Sequence, residues 1–189
     1  MGTQKPNNQS ANKLTPKDLF IACTGFNVFW LVAVVGQYPW MPLLILLLAV
    51  SWWYYLGAWR FSMLMGGLGI LMDSALAFAG ILVFDDPIFL HGLPTWLMLL
   101  WIAFGCFVWV CRQYIMTSQV AFMLLLGSVG GVVSYFAGYR LGAVHWPFGI
   151  PTTLLGLLIC WLVFSGIVIA LLNLFAAYCR RSYEQPVHR

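Results

Sequence analysis

Residues 152–178 read TTLLGLLICWLVFSGIVIALLNLFAAY, 27 positions without a charged side chain. A hydrocarbon core about 30 Å thick takes about 20 helical residues, so a run of this length and composition predicts a helix that crosses a membrane. Working outward, comparable stretches occupy 40–57 and 61–84, as well as 19–36, 94–114 and 119–142. Gln37-Tyr38-Pro39, Gly57-Ala58-Trp59-Arg60, Asp85-Asp86-Pro87 through Pro94, Thr117-Ser118 and His145-Trp146-Pro147 through Pro151 separate them as turns. The runs do not alternate apolar with polar residues, which argues against a barrel. The expected fold is all-α, a polytopic membrane bundle of six transmembrane helices spanning residues 18–179. Polar tails flank it at 1–17 and 180–189, both expected in the cytoplasm.

Composition agrees. Of 189 residues, 62% are hydrophobic and 7% charged, whereas a soluble domain carries about 25% charged residues. A nucleic-acid partner is not expected, because the net charge of +4 sits on ends and loops. Cytoplasmic loops retain Lys and Arg during insertion. With six spans, Lys5, Lys13, Lys17, Arg60, Arg112, Arg180, Arg181 and Arg189 share one side and Arg140 alone takes the other. That division puts both termini in the cytoplasm. The five cysteines, Cys23, Cys106, Cys111, Cys160 and Cys179, lack paired spacing and read as reduced packing residues.

Asp73 is the one carboxylate deep in a span. It lies about 20 Å along the third helix counted from Arg60, and a central Asp is costly enough to face protein or water rather than lipid. At 100° per residue, Ser62, Gly66, Gly69, Ala77 and Gly80 share its face. The fifth span carries a similar stripe in Gly127, Gly130, Ser134, Gly138 and Gly142. Small residues at four-residue spacing let helices approach closely, so spans three and five are expected to pack face to face. Ser134 or Tyr135 would then hydrogen-bond Asp73, with Arg140 toward the outer mouth. Asp73, Ser134, Tyr135 and Arg140 form the candidate ligand site.

Outside, Asp85, Asp86, His91 and His145 are metal-compatible side chains, but their spacing matches no known site and no metal or other cofactor is expected. There is no nucleophile elbow and no phosphate-cradling glycine turn. No catalytic residues are assigned, and an enzyme ranks behind two other readings. The leading one is a membrane protein that binds or moves a lipid or other apolar small molecule. The alternative is a scaffold or subunit whose glycine faces meet another membrane protein or a second copy of the chain.

Several blocks carry a family likeness: NVFWLVAVVG at 27–36, Leu71-Met72-Asp73-Ser74, Pro94-Thr95-Trp96-Leu97 with Leu100-Trp101, and Gly130-Gly131 through Ser134-Tyr135-Phe136-Ala137-Gly138-Tyr139-Arg140-Leu141-Gly142-Ala143. Through these the chain resembles a bacterial inner-membrane family called domain of unknown function 2878. That family often has Gln shortly after the Asn of its first span, where this chain has Val28-Phe29-Trp30. The resemblance implies a small helical inner-membrane protein, with gene neighbourhoods that sometimes hold fatty-acid-modifying enzymes. It supplies no substrate, cofactor or catalytic residue.

Overall fold

The computed structural model describes residues 15–85, 89–90 and 92–184, with backbone alone at 89–90 and 178–184. Most of the amino-terminal tail, Asp86, His91 and residues 185–189 lie outside that description. Six α-helices dominate: α1 Pro16–Gly36, α2 Met41–Tyr54, α3 Ala58–Phe78, α4 Thr95–Thr117, α5 Val120–Arg140 and α6 Ile150–Glu184. A two-residue ribbon, β1 Phe89–Leu90 against β2 Leu93–Pro94, leads into α4.

Local chemistry sets the helix ends. Thr15 and Asp18 form a capping box, with Thr15 N–H donating to Asp18 Oδ2 at 2.9 Å and Pro16 in the first turn, which satisfies amides that the helix leaves unpaired. A single turn, Tyr38–Trp40, carries the chain directly into α2. Gly57, at φ 87°, then turns it into α3. Five of the helices are long and apolar enough to cross a membrane, while α2 has only 14 residues. The expected six spans are therefore five full-length helices and one short apolar one.

The helices alternate in direction. The Thr95 hydroxyl of the first turn of α4 donates to Met41 Sδ in the first turn of α2. One cavity brings together residues 37–39, 85, 96 and 142–143. The end of α1, the start of α2, the end of α3, the start of α4 and the end of α5 thus meet at one pole of the bundle. The start of α1 and the end of α6 belong to the opposite pole.

At the centre stands α4, the most buried of the five long helices, whereas α5 is the least buried. It packs most extensively on α3 and also meets α1, α2 and α6, whereas α5 packs mainly on α6. The expected face-to-face pairing of α3 with α5 does not form. Gly66 and Gly69 instead receive Ile102 and Trp101 of α4, and a Cβ at Gly69 would overlap the Trp101 ring. Gly127 and Gly131 of α5 receive Ser165 and Trp161 of α6 in the same way. A small-residue cleft accepts an indole as readily as another small stripe, and the bulky partner buries more apolar area.

Four glycines assigned to that interface have other positions. Gly130 is exposed with no atom within 4 Å of a built Cβ, and the nearest atom to one at Gly138 is Val144 Cγ1 at 3.9 Å. Gly80 and Gly142, at φ 71° and 74°, lie beyond the ends of α3 and α5. There Gly80 N–H meets Ala77 O and Ile81 N–H meets Leu76 O; Gly142 N–H meets Tyr139 O and Ala143 N–H meets Gly138 O. These are Schellman terminations, which need a left-handed residue and so select glycine.

Candidate functional site

Two places in this frame gather polar groups. The first is the buried carboxyl of Asp73, 0% exposed on α3. Trp101 Nε1–H of α4 donates to Asp73 Oδ2 at 2.6 Å, and the Tyr135 hydroxyl of α5 donates to Oδ1 at 2.5 Å. Trp161 of α6 stacks on Trp101, their centroids 5.5 Å apart, and lies edge-on to Tyr135. Each carboxyl oxygen thus accepts one bond within an aromatic enclosure, which is how a polar group is accommodated in a low-dielectric interior.

Of the four sequence candidates, the structure joins Asp73 and Tyr135. Ser134 has a different partner: Trp30 Nε1–H of α1 donates to its hydroxyl at 2.7 Å, tying α1 to α5. Arg140 is exposed in the last turn of α5 and makes no ion pair among the described residues. Ser62, assigned to helix packing, also carries a polar link, accepting from Trp52 Nε1 and donating to Ile102 O. Sequence reading missed Trp30, Trp52 and Trp101 as donors. The available signal was that a buried indole N–H requires an acceptor.

The second place is the loop-bearing pole. Released by their Schellman turns, the segments after α3 and α5 pair, with Val83 N–H donating to His145 O and His145 N–H to Val83 O at 3.1 and 2.7 Å. Helices α3 and α5 therefore meet through the extended chain beyond them. The same register sets His145 Nε2 2.5 Å from Asp85 Oδ2. Among the described residues no three His, Cys, Asp or Glu side chains gather.

A cavity of about 300 Å³ opens beside this pair, lined by Gln37, Tyr38, Pro39, Asp85, Trp96, Gly142 and Ala143. A more open groove of about 440 Å³ is lined by Ser74, Ala77, Phe78, Leu82, Val83, Phe84 and Gly92. The segment 82–85 lies between them, giving Asp85 to the cavity and Leu82, Val83 and Phe84 to the groove. Asp73 lines neither. Trp96, Trp146 and Trp161 keep buried indole N–H groups without an acceptor, and Thr153 keeps a buried hydroxyl likewise, among the described residues.

Residues 19–167 match the family described as protein of unknown function (DUF2878). No curated protein and no solved structure matches the chain.

Proposed function

The chain belongs to the DUF2878 family, and we propose that it is a multi-pass protein of a bacterial inner membrane that binds or moves a lipid or other apolar small molecule. The observation that carries this reading is a pair of concavities with mostly apolar walls on either side of the segment 82–85. A ligand site is a concavity of about 300 Å³ or more with a few polar groups set in apolar walls, and both concavities have that make-up. The buried carboxyl of Asp73 fits a different role. With both oxygens bonded to neighbouring helices, it locks α3, α4 and α5 at the depth where water is scarce.

This reading includes cytoplasmic termini, supported by the eight-to-one division of basic residues and by the start of α1 and the end of α6 sharing a pole. The cavity then opens at the outer face. Native mass spectrometry after extraction in mild detergent tests the reading: lipid adducts are expected on the intact chain. A lipid-free spectrum together with thermal stability indifferent to added lipid would overturn it. A second reading, a subunit that meets a membrane-protein partner or a second copy, is favoured by exposed Gly130. Its mark would be cross-linking between chains through Gly130→Cys.

A further inference from the structure

We infer that Arg112 anchors a phosphate site where α3, α4 and α6 meet, at the pole opposite the cavity, and that this site holds the head group of an anionic phospholipid. It goes beyond the reading of the two concavities and uses none of their residues. Trp109 of α4 packs on Phe61 of α3 and edge-on to Phe175 of α6, with centroids 5.5 and 5.3 Å apart. The guanidinium of Arg112 covers that indole, its carbon 4.1 Å from the ring centroid, and its Nη1–H donates to Trp109 O at 2.6 Å. A cation over an indole face is favoured, and the stack holds the planar fork at the three-helix seam.

What the seam lacks is an anion. Lys17, Arg60 and Arg140 are exposed, whereas Arg112 is half-buried and makes no ion pair among the described residues. Helix α4 contains no Asp or Glu, and α6 contains none before Glu184 at its end. The one carboxyl of α3, Asp73, has both oxygens taken by Trp101 and Tyr135. A partly buried charge needs a counter-charge, and none of the three helices supplies one at this level. Depth names the source. Gly105 packs on the Ser62 backbone and Trp109 on Phe61, so Arg112, almost a turn further along α4, is level with the first turn of antiparallel α3. There α2 turns into α3 through Gly57 beside exposed Trp53, Tyr54 and Trp59, amphipathic rings that mark the interfacial depth of lipid phosphates. Basic recesses between helices take such phosphates, and the remaining N–H groups of Arg112 present a fork that matches two phosphate oxygens.

The test uses the full chain in vesicles of equal parts phosphatidylglycerol and phosphatidylcholine, with bound lipid read by native mass spectrometry after extraction into mild detergent. Phosphatidylglycerol adducts are expected to exceed phosphatidylcholine adducts on the wild type. Arg112→Gln should lower phosphatidylglycerol occupancy about tenfold, the worth of one charge-assisted hydrogen bond. Arg112→Lys, which keeps the charge without the fork, should lower it about threefold, and this variant decides if Arg112→Gln fails to fold. Lys17→Gln removes the same charge from an exposed position at the same pole and should leave the preference unchanged. A preference unaltered by the Arg112 variants, or lowered equally by Lys17→Gln, overturns the inference. So does displacement of the lipid by excess inorganic phosphate, which would mark a soluble anion as the occupant. Lipid retained with no head-group preference overturns the inference and leaves the reading of the outer concavities standing, whereas no adduct of either lipid overturns both.

Discussion

Replacing Asp73 by Asn exchanges one acceptor oxygen for a donor NH₂, and the site accommodates the exchange. The remaining oxygen can accept from Trp101, and the tyrosine hydroxyl can turn to accept from the amide. Asp73→Asn is therefore expected to change stability by no more than about 1 kcal/mol. Asp73→Leu removes both acceptors and strands the Trp101 and Tyr135 donors, at a cost of about 3 kcal/mol. Denaturant unfolding in detergent separates the cases, and equal loss in the two variants would refute the hydrogen-bonded lock. Asp73 was legible in the sequence because a lone carboxylate in an apolar span demands partners. Trp101 was not, since helical phase treats an indole as an apolar body and hides its single donor.

Helices carry the next lesson in their glycines. Hydropathy and turn residues marked all six elements, but the small-residue stripe of α5 indicated a close approach without naming what approaches. Gly131 lies under the Trp161 ring and Gly130, one residue away, is open. Gly131→Leu is accordingly expected to abolish folding or lower the melting temperature sharply, whereas Gly130→Leu should leave the isolated chain near wild type. Thermal scans in detergent check the pair, and similar losses in both would contradict the α5–α6 contact. Gly80 and Gly142 belong to a different class. Each follows the end of a helix, where a glycine signals termination as readily as packing, and four-residue spacing alone does not distinguish the two.

On the scale of the whole molecule, α1 to α4 form one packed group around α4, and α5 with α6 forms a hairpin against it. The join consists of rings, with Trp101 and Phe104 against Trp161 and Phe164, and of the Trp30–Ser134 and Tyr135–Asp73 hydrogen bonds. The combined Trp30→Phe and Tyr135→Phe variant is expected to raise amide hydrogen exchange in α5 and α6 while α4 stays protected. Uniform protection throughout would count against a two-part bundle. The alternating order of helices was legible from the apolar runs and the turns between them, but this division was not, because it depends on which rings interlock. The brevity of α2 has a consequence for the surrounding lipid. With the turn Tyr38–Trp40 that leads into it, the stretch rises about 27 Å against a hydrocarbon core of about 30 Å, and Ile45, Leu46 and Val50 are exposed along it. That flank is the shortest apolar wall of the bundle, so acyl-chain length becomes a thermodynamic variable of the protein: short-chain lipids match it, and thicker membranes impose an elastic penalty on it.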